Sequence, residues 1–302
     1  MSEALTLVQR KPGYSKPLRV LTYAFLTAVA VAWMVPVAGA FYSSLRPFDE
    51  TQKKGVFSLP DSLSFKNYGE AIRQGGMFGW GGTFANTLFI VLPSIVLILL
   101  FSSCMAFAVS RFTWRFNVTL LLIFTAGNLL PAQVIFKPLF AFFEHMPWPN
   151  LLSDTDTGKL LGTKIAVIII HVAFQTGFCT FVLSNYMKTI PRELNEAASV
   201  DGASVPRQFF QIILPLCRPA LAALATLEFT WLYNDFFWAV VLLNQGSERP
   251  ITSSLANLSG QYFSNDNLIA ASSMIIALPT LAVYLALQKQ FISGLTLGAS
   301  KG

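Results

Sequence analysis

Six apolar stretches, each long enough to cross a lipid bilayer as a helix, dominate this chain: residues 20–42, 88–109, 118–143, 165–187, 219–243 and 268–287. A hydrocarbon core about 30 Å thick needs about 20 helical residues at roughly 1.5 Å each. Inside lipid the backbone must satisfy its own hydrogen bonds, so continuous apolar runs become helices, whereas membrane strands alternate in polarity over about ten residues. The expectation is an all-α polytopic membrane protein with six transmembrane helices. Composition agrees: 12% of residues are charged, against roughly 25% in a soluble domain, and the mean hydropathy is +0.55. Ionisable groups enter only three of the stretches: Lys137 in the third, His171 in the fourth, Glu228 and Asp235 in the fifth.

Arg10, Lys11, Lys16 and Arg19 precede the first stretch, and Ala38-Gly39-Ala40 looks like a leader-cleavage site. The apolar run is longer than the roughly 7–15 residues of a signal core, so it is read as a retained span. With the N-terminus inside, twelve basic residues face four acidic ones on the cytoplasmic side, and eight face nine outside. Basic residues favour the inner face, which makes both termini cytoplasmic. The net charge of +6 then reflects this bias and implies no nucleic-acid partner.

Residues 1–19 read as a basic cytoplasmic tail, and residues 20–302 as one transmembrane domain. The connection at 43–84 is the longest, with Pro47, Pro60 and a glycine-rich run at 75–82. Connections of that length are usually functional; this one is either a surface for an external protein or a lid or spacer. The connection at 144–164 carries a rigid MPWPN turn and two acids, Asp154 and Asp156, that lack the other ligands of a calcium loop. His145 and His171 have no carboxylate or cysteine at ligand spacing, so no metal is expected. No G-x-x-x-x-G-K loop and no G-x-S-x-G elbow occurs, so the chain is expected to bind no nucleotide by that route, to hold no cofactor and to catalyse no bond chemistry. Cys104 and Cys179 lie within spans and Cys217 at the mouth of the fifth, which is not a disulfide framework.

The polar stretch PRELNEAASVDGASVPRQFFQIILPLCRPA, residues 191–220, interrupts this apolar background. Pro191 suits a first helical turn, and Glu193 and Glu196 suit its positive end. A helix over about 191–202 should stop at Gly202, which accepts the left-handed conformation. Ser204 can cap a second helix through Pro206 and Arg207 that rises into the membrane at Leu214-Pro215. Leu194, Ala197, Ala198 and Asp201 share one face of the first helix. Small alanines admit a close partner, and Glu196 and Asp201 offer charge to basic side chains. Pattern alone leaves open a solvated loop.

Glu196-Ala197-Ala198, Gly202 four positions on, and then Ile212, Leu214 and Pro215 fill E-A-A-x3-G-x9-I-x-L-P. This signature resembles that of permease subunits of ABC importers. FANTLFI at 84–90, YNDFFWAVVLL at 233–243 and QKQFISGLTLGASKG at 288–302 are similar to the carbohydrate-uptake, MalG-like branch. The resemblance implies the type I ABC importer (MetI-like) permease fold in a bacterial or archaeal plasma membrane, with 191–202 as a cytoplasmic coupling helix. Glu196 would make the polar contact with a separate ATPase, Ala197 and Ala198 would pack, and Gly202 would hold the bend. Leu194, Asp201, Ile212, Leu214 and Pro215 complete that set. The implied partners are a second homologous permease, two ATPase subunits that use ATP and Mg, an external solute-binding protein, membrane lipid and a mono- or oligosaccharide.

Glu228, Trp231, Asp235 and Trp238 recur at i, i+3, i+7 and i+10, one face of a continuous fifth span. An ionisable group at membrane depth costs at least about 2.5–3.5 kcal/mol, so such groups face protein or water. Two readings stand: a sugar path, where aromatic faces stack on rings and carboxylates accept hydroxyls, or structural pairing with Lys137, His171 or the partner permease. Gln133, Gln175 and Asn234 either line a cavity or bond between helices. Lys137 is expected to snorkel and His171 to bond between helices. The terminal GLTLGASKG is expected to be flexible, touching the ATPase or ending free. An ion-coupled secondary carrier is the rival function; its usual repeated halves are not visible in this sequence.

Overall fold

The computed structural model describes residues 16–56, 58–74, 76–78, 82–127, 130–149, 158–258 and 265–299, without the side chains of Asn257 and of residues 289–299. Residues 1–15 of the basic tail, Asp154 and Asp156, and much of the glycine-rich run lie outside the described residues. The described chain is mostly helical. In order it forms α1 (Lys16–Ser44), α2 (Phe48–Lys54), α3 (Lys66–Gln74), α4 (Thr83–Arg111), α5 (Asn117–Gly127), α6 (Ala132–His145), α7 (Lys164–Met187) and α8 (Glu193–Val200). Then come α9 (Val205–Gln208), a π-helical turn (Phe209–Ile213), α10 (Leu214–Leu216), α11 (Arg218–Tyr233), α12 (Phe237–Leu242), α13 (Ile251–Leu258) and α14 (Asp266–Ala299). The C-terminal stretch expected to be flexible is instead helical through Ala299.

Six straight rods are not what the residues build. Four helices, α1, α4, α7 and α14 up to Gln288, are each long and apolar enough to cross a membrane. Two further crossings exist only if bent pairs count as one span: α5 with α6, at 94°, and Val205–Leu216 with α11, at 73°. Prolines explain the bends. Pro131 precedes α6 and disfavours a helical conformation at Leu130, and Pro219 opens α11 without an N–H to give. The expected fifth span also breaks after Tyr233. There Asp235 accepts from the N–H groups of Trp238 (3.4 Å) and Ala239 (3.1 Å), so its carboxylate begins α12 rather than riding on a continuous helix.

Two buried clusters hold the helices together. One joins Ile95, Ile98 and Phe107 of α4 to Leu183 and Met187 of α7, Leu224 and Leu232 of α11 and Ala271 of α14. The other joins Ile90 and Phe143 to Val167, Ile170, Trp238 and Leu242. Lipid tails are as apolar as leucine, so helices in a bilayer associate by close packing of small residues. Buried Ser94, Ser102, Ser103 and Ser110 of α4, with Gly177, Thr180 and Ser184 of α7, fit that rule. Several of these hydroxyls satisfy themselves on their own helix: Ser94 donates to Ile90 O (2.7 Å) and Ser184 to Phe181 O (2.9 Å). Lys164 lies over the Phe89 ring and Arg111 over the end of α7, so α4 and α7 run in the same direction.

At the start of α4 and α14 the 43–84 connection is a folded platform. Arg46, 1% exposed, donates to Gly55 O (3.2 Å), Val56 O (2.9 Å), Ser58 Oγ (2.7 Å) and Glu50 Oε1 (3.0 Å). Asn67 donates to Ser44 O and Arg46 O, and Asn267 ties the platform to α14 through Ser43 O (2.8 Å). The Asp61 N–H, opposed by burial and helped by Arg46, holds the Glu50 carboxyl below its ordinary range. Gly82 closes the connection where a Cβ would come within 2.9 Å of Gly76 O.

Candidate coupling elbow and membrane-depth residues

At the opposite end of the bundle α7 stops at Met187 and the chain turns into α8. The helix begins at Glu193, so Pro191 lies before its first turn rather than in it; the Arg192 carbonyl accepts from Asn195 N (2.9 Å) and Glu196 N (3.1 Å). Glu193 and Glu196 do stand in the first turn, where the exposed N–H groups favour negative charge. The far end closes through Gly202 N to Ser199 O (3.1 Å) and Ala203 N to Ala198 O (2.9 Å), with Gly202 at φ 78°. Such paired bonds require a left-handed residue at this point, which only glycine adopts without strain.

Ser204 occupies the cap position of α9 but its hydroxyl makes no capping bond; its carbonyl accepts from Gln208 N (2.9 Å) instead. The next segment does not rise directly into the membrane. Pro215 cannot continue the regular ladder, and the preceding turn is π-helical, with Leu214 N reaching Phe209 O. The turn toward α11 comes at Cys217.

The expected single face of α8 divides. Ala198 is buried at 7% exposure, while Leu194, Glu196, Ala197 and Asp201 are exposed, leaving Leu194, Ala197 and Asp201 as an outward stripe. Ile212 and Leu214 are half-buried against the core, with half-buried Pro215 beside them. Residues the motif did not flag hold the elbow. Gln208 donates to Ser199 Oγ (3.0 Å) and Ala203 O (2.9 Å) and accepts from Asn195 Nδ2 (3.1 Å). Arg111 donates to Met187 O (3.0 Å) and Ile190 O (3.2 Å). A cavity of about 260 Å³ separates the end of α4 from α8, lined by residues including Phe107, Arg111, Asn195, Glu196 and Gln208. A glutamine inside PRQFFQII was the one sequence hint of this arrangement.

At membrane depth the helix break scatters the face expected of Glu228, Trp231, Asp235 and Trp238. Glu228 is fully buried, and its partner is neither Lys137 nor His171: Cys179 Sγ donates to Oε1 at 3.1 Å. Asp235 stands 3.7 Å from His171 Nε2, the pairing named as structural. Trp238 is buried and stacks on Phe174 (5.8 Å), whereas Trp231, 43% exposed, leans on Phe178 (5.4 Å). Gln175 is half-buried near these rings in sequence; Asn234 is exposed and donates to Thr230 O (2.8 Å). Gln133 and Lys137 are exposed on α6. Among the described residues no group of three or more His, Cys, Asp or Glu is placed to hold a metal ion.

Residues 98–296, which include the whole elbow, match the family described as the binding-protein-dependent transport system inner membrane component. The chain belongs to that family. This permease is 31% identical over 268 residues to a probable ABC transporter permease protein of Pyrococcus horikoshii, covering 89% of the chain and 92% of the relative. It is 29% identical to the melibiose/raffinose/stachyose import permease protein MelC of Bacillus subtilis, covering 95% of the chain and 98% of the relative. A solved bacterial ABC transporter involved in the import of the acidic polysaccharide alginate superposes with a TM-score of 0.74 at 24% identity, over 93% of this chain and 99% of that one. The fold is therefore the MetI-like permease fold, in a multi-pass membrane protein whose relatives are transport permeases rather than enzymes.

Proposed function

We propose that this chain is the permease subunit of an ATP-driven ABC importer and forms half of the translocation path for a carbohydrate, a mono- or oligosaccharide, delivered by an external solute-binding protein. The observation that carries the reading is the elbow: the E-A-A signature falls on a short helix whose stripe of Leu194, Ala197 and Asp201 is exposed, with Glu196 exposed beside it. Relatives named for melibiose, raffinose and stachyose, and for α-glucosides in Rhizobium meliloti (32% identical over 81% of this chain and 62% of the relative), support the carbohydrate.

In this reading α8 is the coupling helix and lies in the cytoplasm, with both termini on that side, and the platform around Arg46 faces outward. A solute-binding protein rests there; a structural neighbour at a TM-score of 0.66 was solved in complex with an alginate pentasaccharide-bound periplasmic protein. Two ATPase subunits grip α8 of this chain and its counterpart on a second, homologous permease. They use ATP and Mg. Their closure displaces the elbow, and the packed spans respond by rigid-body rotation, since close-packed interfaces switch between arrangements rather than stretch. Trp231, Asn234 and Gln175 give the path an aromatic and amide surface, with Gln133, Trp238 and Asp235 beside it. Glu228, fully buried, braces the helices behind it.

The test is uptake by membrane vesicles carrying the co-expressed complex. ATP-dependent uptake of labelled raffinose or another sugar held by the binding protein is expected, with loss in Glu196→Lys and Gly202→Pro although the subunit still inserts. Uptake that follows an ion gradient and ignores ATP would make the chain a secondary carrier. Normal uptake in both variants would remove the coupling role from α8.

A further inference from the structure

The eight residues of α8 bury only Ala198, and a helix shorter than about 12–15 residues is marginal on its own. Its position must come from its attachments. Packing supplies little of this on the α4 side, because the cavity of about 260 Å³ lies between α8 and the end of α4. Two side chains span the joint. Arg111, the last residue of α4, forks onto the carbonyls of Met187 and Ile190, the final turn of α7 and the residue that leads into the elbow. A cation at a helix C-terminus is favourable there, and the planar guanidinium reaches both oxygens at once. Gln208, 7% exposed, grips the elbow from inside: its amide nitrogen holds Ser199 and Ala203 at the end of α8, and its oxygen takes the Asn195 amide one turn earlier.

The two attachments lead to different spans. From Gln208 the chain runs through the π-helical turn and α10 into α11, which packs on α14 and α4. From Arg111 the connection enters α4, which packs along α7. Without them, the elbow is held by buried Ile190 and Ala198 and by the turns at 188–192 and 203–204, and turns bend before they push.

We propose that Arg111 and Gln208 are positioning residues that make the elbow a stiff lever, Arg111 carrying its displacement into α4 and Gln208 into α11. The claim rests on the ATP-driven reading for its source of displacement, but the stiffness itself does not.

Hydrogen exchange on the assembled complex in lipid nanodiscs tests both parts, with Arg111→Gln, Arg111→Lys and Gln208→Met compared with the unmodified chain. Without nucleotide, the amides of residues 195–203 should exchange roughly tenfold faster in Arg111→Gln and Gln208→Met, with Arg111→Lys in between because its amine reaches one carbonyl. After trapping with ATP, Mg and orthovanadate, the change in protection should fall at least about fivefold in α4 for Arg111→Gln and in α11 for Gln208→Met, while the ATPase still co-purifies and hydrolyses. Unaltered α8 exchange overturns the proposal, as does an undiminished response of α4 and α11. If the unmodified complex gives no response to ATP, the import reading fails, and the α8 exchange rates alone then decide the positioning claim.

Discussion

Both polar insertions of this permease sit at the ends of membrane helices, yet they use their polar groups in opposite ways. The platform turns three of them inward: Arg46 is sealed beneath its own loop with four hydrogen bonds, and Asn67 and Asn267 stitch it to α1 and α14. The elbow closes its backbone locally at Gly202 and leaves Leu194, Glu196, Ala197 and Asp201 exposed. A segment that satisfies itself acts as a scaffold, while one that exposes charge beside small side chains is completed by something else. Changes at Arg46 and its buried partners should therefore register as stability, and changes at the exposed elbow residues as transport.

The largest expected effect on stability is Arg46→Met. It removes the buried guanidinium that joins the Gly55 and Val56 carbonyls, Ser58 and Glu50, a loss of about 1.5–3 kcal/mol for its charge-assisted hydrogen bonds to the loop. Thermal unfolding of the detergent-solubilised chain should show it; an unchanged midpoint would mean that the platform is not held from within. Gly202→Ala forces a side chain into φ 78°, at a cost of roughly 1–2 kcal/mol. Since no atom lies within 4 Å of the added Cβ, this cost is conformational, and Gly202→Asn should recover part of it.

Acid should loosen the platform. The folded Glu50 carboxyl titrates lower than in the unfolded chain, so its contribution is complete above the unfolded value of about 4.3 and is lost as pH falls through the lower folded value. Protection of the 46–56 amides, corrected for the intrinsic slowing of exchange in acid and followed from pH 6 to pH 3, should drop in that window, and Glu50→Gln should abolish the dependence. Glu196→Lys sits at the small end of the stability scale, within about 0.5 kcal/mol as an exposed change, although uptake is expected to be lost. A large shift in its melting point would erase the contrast between the two regions.

The elbow was the more legible of the two. Gly202 and the acids of the first turn act through local backbone geometry, which four or five neighbouring residues settle, and the helix ends where the glycine says. Ala198 was expected beside Leu194 on a docking face and is instead turned inward, because which side of a short helix is covered depends on what packs behind it. Asp235 shows a signal that was present but submerged: an Asn-Asp pair ahead of a helix is a cap pattern, yet inside an apolar run it was read as one more position on a continuous face. Glu228 had no such signal, since its partner Cys179 lies 49 residues away on another helix.

What the residues determined alone was the lipid environment, the helical state of the long runs and the place of the polar elbow between them, all consequences of hydropathy and of short-range backbone preference. Tertiary structure alone decided that His171 stands beside Asp235, that Arg111 and Gln208 tie the elbow to different spans, and that a cysteine faces the buried glutamate. The physical reason is common to all three: a polar group withdrawn from water takes whichever partner the packed helices bring within about 3 Å, and that distance is a property of the assembled bundle.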